Sequence, residues 1–237
     1  MARRGLIIAI DGPAGAGKTT AARGLAQRLG YLYLDTGATF RAVALKALRQ
    51  GVDLDDAASL HQLALVSEIR FGGDQNERIY LDGEDVTEAI RTAEVAEAAS
   101  RMAIYPEVRK PLMELWRRIG HEGGVVLDGR DIGTVVFPDA ELKFFLIAEA
   151  SVRAERRYLE RANEPGITPE GVGEQLRRRD AIDSARPYAP LMRAPDAIEL
   201  DTSRLRPEET LHRLERETLA RISKGTGESL DGPRKIE

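Results

Sequence analysis

Cysteine is absent from the 237 residues. That excludes disulfides, thiolate metal sites and a cysteine nucleophile, and it suits a reducing compartment, the cytoplasm. Long apolar runs are missing too. The first one, residues 6–10 after Met-Ala-Arg-Arg, is too short for a secretory signal, and none approaches the roughly 20 residues of a membrane helix. Positive net charge is lacking: the formal value is −4, against a strongly basic nucleic-acid binder. Arginines do concentrate between Arg153 and Arg206, so a local field can still be basic. That span lacks the interleaved aromatics of a base-stacking platform. No heptad or apolar interface stripe is evident, so a monomer is expected. The three histidines, His61, His121 and His212, lie outside every motif and read as surface residues, which leaves no obvious general base.

What is present fits one domain with a small insertion. A chain of this length hides roughly 70% of its unfolded surface. Residues 6–10 read as a buried strand and Lys18–Leu29 as a helix ended by Gly30. A strand at 31–34 and helices at 36–48 and 56–66 follow. Three short strands at 69–71, 78–81 and 84–86, with turns at 72–74 and 82–83, predict an antiparallel insert over 67–87. Helices at 92–104 and 107–119, separated at Pro106, strands at 124–127 and 142–148, and a helix at 152–161 come next. A polar segment from 163 to 186 is helical from Pro169. A strand at 197–201 and a helix at 207–222 close the pattern, and 224–237 reads as a disordered tail. Strands alternating with helices predict an α/β fold, a parallel sheet flanked by helices on both faces, with its core formed by 1–66 and 88–223.

The chemistry begins at Gly12-Pro13-Ala14-Gly15-Ala16-Gly17-Lys18-Thr19, followed by Thr20. Small residues between a strand and a helix let backbone N–H groups wrap a phosphate, and the helix turns its positive end toward the anion. This spacing is that of a P-loop, in which Lys18 reaches the β- and γ-phosphates and the Thr19 hydroxyl serves Mg²⁺. The bland alternative is a chance glycine-rich turn, but the strand before and the helix after are both in place. Asp128, at the end of the apolar run Val125-Val126-Leu127, is where such proteins hold Mg²⁺ directly or through water; alternatively it caps the turn before Gly129. The nucleoside triphosphate is therefore the expected donor. The acceptor must be read from the other strand ends. Arg41 and Arg130 stand there, and arginine recurs near Arg179. One arginine alone reads as a surface ion pair; the set suggests a second anionic ligand facing the first.

At this point the chain resembles the bacterial cytidylate kinases, within the nucleoside monophosphate kinases. The resemblance covers about 5–220. It is carried by IDGPAGAGKTT at 10–20, LDTGATFR at 34–41, LDGEDVTEAIRTAEV at 81–95, LDGRDIGTVVFPDA at 127–140 and RRRDAIDSARPYAPL at 177–191. An adenylate kinase would show Asp-Gly-Phe-Pro-Arg at 128–132, where this chain has Asp-Gly-Arg-Asp-Ile.

The resemblance implies that ATP phosphorylates CMP, and dCMP as a second acceptor, with Mg²⁺. It implies that Arg41 and Arg130 hold the acceptor phosphate, and that Thr36, Ser100, Arg109, Asp131 and Arg186 surround the cytidine and its phosphate. Arg179 and Asp183 would meet the ribose hydroxyls, with Arg179 near the transferring phosphate. Lys18, Arg130 and Arg179 are then the catalytic set, and Arg157 joins the residues of 12–20 on ATP. Which of Ser100, Arg109 and Arg186 reads the base stays open. Phe40 stands where the family usually has Tyr, so a polar role there is lost. The insert resembles the family's enlarged monophosphate-binding region, and 163–186 its mobile lid. An ionised phosphate is the nucleophile, so no general base is required, and catalysis rests on alignment and charge neutralisation. The competing readings are a P-loop kinase for UMP, AMP or a small metabolite, and a nucleotide switch or RNA-binding P-loop protein.

Overall fold

The computed structural model describes residues 5–73, 77–162 and 166–226. β1 (Ile7–Asp11) leads through α1 (Lys18–Leu29) to β2 (Leu32–Asp35), α2 (Thr36–Gln50) and α3 (Ala57–Val66). The insert follows as β3 (Ile69–Gly72), β4 (Arg78–Leu81) and β5 (Glu84–Asp85). After it come α4 (Ala93–Met102), α5 (Pro106–Gly120), β6 (Val125–Asp128), β7 (Leu142–Ile147), α6 (Ala150–Glu160), α7 (Pro169–Ala185), β8 (Ile198–Asp201) and α8 (Pro207–Thr226).

The main sheet has the order β2-β6-β1-β7-β8, and every pair in it is parallel. Central strands buried on both sides explain the unbroken apolar runs of β1 and β6. Alternate residues divide between two cores. Ala9, Leu34, Val125 and Leu127 face α2–α5, whereas Ile8, Ile10, Tyr33, Val126, Phe144 and Leu146 face α1 and α8. This is the expected parallel sheet with helices on both faces, and the register places Ile10 beside Asp128 and Asp35 beside Asp128. The carboxyl ends of β1, β2 and β6 thus open side by side.

The insert forms an antiparallel sheet in the order β3-β4-β5. Asp82 and Gly83 both have positive φ, 51° and 87°, as a two-residue hairpin turn requires. Ile69, Ile79, Leu81 and Val86 join the same core as α2, and Lys46 of α2 pairs with Asp82 at 2.6 Å. The insert is therefore fused to the core.

Four local features differ from the sequence reading. Pro106 opens α5 at its first turn, where its missing N–H has no helical partner to lose. Residues 89–91 form a short 3₁₀ turn, and Ile132–Val136 a π-helical turn; neither has a hydrophobic period to announce it. α8 continues to Thr226, so the first three residues of the expected tail are helical, while 227–237 lie outside the described residues. Residues 163–165 of the expected lid and Asp74 of the first insert turn also lie outside them. Among the described residues, no helix is long and apolar enough to cross a membrane.

Candidate functional site

The loop between β1 and α1 needs small residues for two different reasons. A side chain at Gly12 would put its Cβ 2.0 Å from the Leu146 carbonyl oxygen. Gly17 caps α1 with φ 84°, a conformation other residues adopt at a cost, although nothing lies within 4 Å of its missing Cβ. Ala16 is held from behind: Thr202, after β8, donates its hydroxyl to the Ala16 and Ile147 carbonyls at 3.1 Å each. Arg156 in turn grips Thr202 through its hydroxyl and carbonyl. Arg153 of α6 donates to the Ala14 carbonyl at 3.1 Å and to Asp180 of α7 at 2.6 Å. The strand–loop–helix context expected of the phosphate cradle is present. Pro13, Ala14 and Gly15 lie along its half-buried wall, and Thr20 is exposed on the first turn of α1.

Lys18 is buried and folds back to donate to the Pro13 carbonyl at 2.7 Å. Burial, then the Arg130 charge, hold its ammonium well below the usual lysine pKa, with Asp128 opposing. Asp128 accepts from Thr19 Oγ1 and from Tyr33 Oη, each at 2.9 Å. Burial chiefly, then the Asp35 charge, push its carboxyl up to about 6. Thr19 and Asp128 are thus adjacent hard oxygen donors at the cradle's edge. Among the described residues there is no group of three or more His, Asp or Glu that could hold a metal by itself. Such a sparse set fits Mg²⁺, which keeps waters and takes substrate phosphate oxygens.

The other side of the site is assembled from charged side chains. Asp35 caps α2 through Ala38 N and pairs with Arg41 at 2.9 Å. Thr36 donates to the Asp128 carbonyl at 2.7 Å. Arg130 donates Nε to Asp183 of α7 at 2.8 Å. Arg186 lies 3.5 Å and Arg179 3.9 Å from the same carboxylate. Burial would raise the Asp183 carboxyl, but Arg130, Arg179 and Arg186 outweigh it and hold it low. Burial, followed by the Arg130 charge, lowers Arg179 to about 10, with Arg41 and Arg157 acting in the same sense. Three cations share one carboxylate, so the cluster has an excess of buried positive charge.

Deeper in, Arg109 of α5 pairs with Asp131 in a nearly sealed contact, 1% and 5% exposed. Arg109 also lies 5.3 Å over the Phe40 ring, so Phe40 serves as a face for the guanidinium without needing a hydroxyl. Several buried polar atoms here have no hydrogen-bond partner: Ser100 Oγ, Arg109 Nε, Arg179 Nε and Arg186 Nη2. Polar atoms left unmet in the interior destabilise by about 1–3 kcal/mol each, so each has hydrogen-bonding capacity to spare.

The structure therefore brings together Lys18, Thr19, Thr36, Arg41, Arg109, Asp128, Arg130, Asp131, Arg179, Asp183 and Arg186, while Ser100 is buried on α4 with its hydroxyl unmet. Arg157 differs: it is half-exposed on α6 and pairs with Glu160 at 2.8 Å, though its charge reaches Arg179. Tyr33, Arg153, Arg156 and Thr202 have supporting parts that the sequence did not disclose. Only the polar hydroxyl of Tyr33 inside an otherwise apolar strand hinted at one of them.

The chain matches the family model described as cytidylate kinase over residues 8–218. It is 50% identical to a cytidylate kinase of Solibacter usitatus over 84% of this chain and 86% of that one. It is also 50% identical to one of Syntrophotalea carbinolica, over 89% and 91% of the two chains, and 49% identical to one of Geobacter sulfurreducens, over 90% and 92%. On the match over nearly its whole length, this chain belongs to the cytidylate kinase family.

Proposed function

We propose that this chain transfers the γ-phosphoryl group of ATP to CMP, and to dCMP, giving ADP and CDP or dCDP. The observation that carries the reading is the pair of linked cation clusters. After burial, the Arg130 charge is the largest influence lowering Lys18 and Arg179, and Arg179 lowers Lys18 as well, across the boundary between cradle and acceptor side. Burial would lower Arg130 too, but the charge of Asp183 and its hydrogen bond outweigh that and hold Arg130 high. Two phosphate groups meeting there relieve that repulsion, and the relief is greatest where transferring charge builds up.

Lys18 releases the Pro13 carbonyl and binds the β- and γ-phosphates, with the backbone of 12–20 around them. Arg41 and Arg130 hold the CMP phosphate in line with the transferring group. Arg179, on α7, adds charge over that group as the 163–186 lid closes and excludes water. Asp183 and Arg179 meet the ribose. Thr19 and Asp128, the latter through water, would hold Mg²⁺, which shields the triphosphate oxygens when bound. Arg157 is kept as an outer ATP contact.

The base is read by complementarity. Cytosine offers an amine donor at its 4-position and acceptors beside it, and a carboxylate is acceptor-only. Asp131 takes the amine, while the unmet donors of Arg109 and Arg186 and the Ser100 hydroxyl take the acceptor edge. Uracil reverses the first contact and leaves buried groups unpaired. The setting proposed with this reading is a monomer in the cytoplasm.

A coupled ADP-release assay against CMP, dCMP, UMP and AMP, with and without Mg²⁺, tests it. CMP and dCMP should be turned over, UMP and AMP poorly, and ATP alone almost not at all. ADP release without any acceptor would instead support a nucleotide switch.

A further inference from the structure

Asp11 closes β1 and stands immediately before Gly12 of the cradle. It is buried, and no part of the reaction as described uses it. Its two carboxylate oxygens are both engaged, and both across the sheet. Ile132 N donates to Oδ1 at 2.9 Å and Gly133 N donates to Oδ2 at 2.7 Å. These amides follow directly on Arg130 and Asp131. They open the Ile132–Val136 π-helical turn, whose first N–H groups have no partner within it. One residue before, Gly129 N donates to the Ile10 carbonyl at 3.1 Å, which extends the β1–β6 pairing toward the loops. The last residue of the donor strand thus grips the acceptor loop by its backbone.

Phosphoryl transfer depends on the offset between donor and acceptor phosphates, and a misplacement of 1 Å can lower the rate a hundredfold. We propose that Asp11 is a positioning residue for the transfer: its carboxylate locks the acceptor loop bearing Arg130 and Asp131 to the start of the phosphate cradle. The assignment rests on the CMP-kinase reading given above. A cap from a neighbouring strand would stabilise the turn in any protein. Here the turn carries the acceptor contacts and the cap carries the donor loop, so the same two hydrogen bonds set the distance between substrates.

The groups around Asp11 bear on its charge. Burial is the largest influence and pushes its carboxyl up to about 7, against the two amides that favour the ionised form. The Asp131 carboxylate raises it further and Lys18 of α1 lowers it. From β7, the stem of Lys143 lies against Gly133 while its ammonium pairs with Asp196 at 2.9 Å.

The test is Asp11→Asn, which keeps the size but turns one acceptor into a donor facing an N–H. Thermal unfolding, affinity for a fluorescent ATP analogue without acceptor, and kcat and KM for CMP are measured together. The expected result is ATP-analogue affinity within threefold of the unaltered protein, kcat lower by about tenfold or more, and a raised KM for CMP. A folded variant with kcat and KM within twofold overturns the proposal. So does a loss of ATP-analogue affinity in parallel with kcat, which would place Asp11 in the cradle alone. If the variant does not fold, Asp11→Glu carries the test with the same measurements. It keeps both acceptors on a stem one methylene longer, so kcat should fall while ATP-analogue affinity holds, and kcat and KM within twofold of the unaltered protein overturn the proposal. Absence of CMP-dependent ADP release by the unaltered protein would defeat the kinase reading itself, and this assignment with it.

Discussion

The donor side and the acceptor side of this site are made of different material. Between β1 and α1, the protein presents backbone: small residues, positive φ at Gly12, Gly15 and Gly17, and one lysine folded onto a carbonyl. Across the β6 loop and α7, it presents buried side chains in ion pairs: Arg109 with Asp131, and Arg130, Arg179 and Arg186 around Asp183. Backbone amides are cheap to aim and read only charge and curvature, so they suit a triphosphate common to many enzymes. Buried side chains cost desolvation, yet their donor and acceptor patterns distinguish one base from another. Generic binding and specific recognition are thus separated in space, and substitutions on the two sides should fail differently.

Lys18→Ala should have the largest effect. Turnover should fall roughly ten-thousandfold for every acceptor alike, because the charge removed belongs to the donor side. Stability should hold or rise, since a buried ammonium held well below its ordinary pKa is a burden on the fold. Steady-state turnover and thermal unfolding on the same samples check this. Near-normal turnover would remove Lys18 from the mechanism.

Asp131→Asn probes the other side and should act on selectivity. The ratio of kcat/KM for CMP over UMP should drop by about a thousandfold, mainly through lost CMP activity. The Arg109 partnership complicates the variant, since Asn keeps one acceptor for that guanidinium but loses the charge. If CMP and UMP fall in proportion, Asp131 supports the pocket, and the base is read by Ser100, Arg109 or Arg186.

How far each side could be read in the sequence follows the same division. The cradle is contiguous, and its strand–loop–helix context is local, so residues 12–19 declared themselves. The acceptor residues are scattered: Arg109 and Asp131 are 22 positions apart, and Arg130 and Asp183 are 53 apart. Nothing in spacing joins such pairs; strand-end position alone points Arg41 and Arg130 to an anion, and the finer roles rest on family resemblance. The main-sheet strands were legible from unbroken apolar runs, and the insert from its Asp-Gly turn. The π-helical turn at Ile132–Val136 was not, because its hydrogen bonds to Asp131 and Ile132 leave no periodic trace. Asp11 reads in the sequence only as the residue after the strand at 6–10, since its partners lie 121 and 122 positions away.

Asp183→Ala should weaken both sides' junction. The carboxylate is shared by three arginines, so its removal leaves buried positive charge unbalanced and should destabilise the fold by about 3–5 kcal/mol. CMP and dCMP should then lose activity in parallel, because the damage is to the arginines that hold phosphate. Denaturant unfolding and kcat/KM for both nucleotides check this. A loss confined to CMP would mean that the carboxylate serves the 2′-hydroxyl and that its ion pairs are secondary.

Asp128→Asn should raise stability, and it sharpens the comparison because Asp128 stands on the boundary. In the folded protein its carboxyl lies near 6 against an ordinary 3.8. A carboxyl raised by folding favours the protonated native state, so that advantage is complete below about 4 and is lost as pH climbs through about 6. Above that point the unaltered protein carries an ionised buried carboxylate that destabilises it by about 3 kcal/mol relative to the unfolded chain. Asparagine titrates nowhere in this range, and Tyr33 and Thr19 can turn their hydroxyls to suit an amide. The difference in stability, variant minus unaltered protein, should therefore grow between pH 4 and 6.5 and level off above it. Activity should fall steeply over the same range of conditions, since the amide is a poor partner for Mg²⁺ and its water. Denaturant unfolding at half-unit pH steps gives the curve. A difference that stays constant with pH would show that Asp128 is not raised by burial, and that the hydroxyls of Tyr33 and Thr19 already compensate its charge.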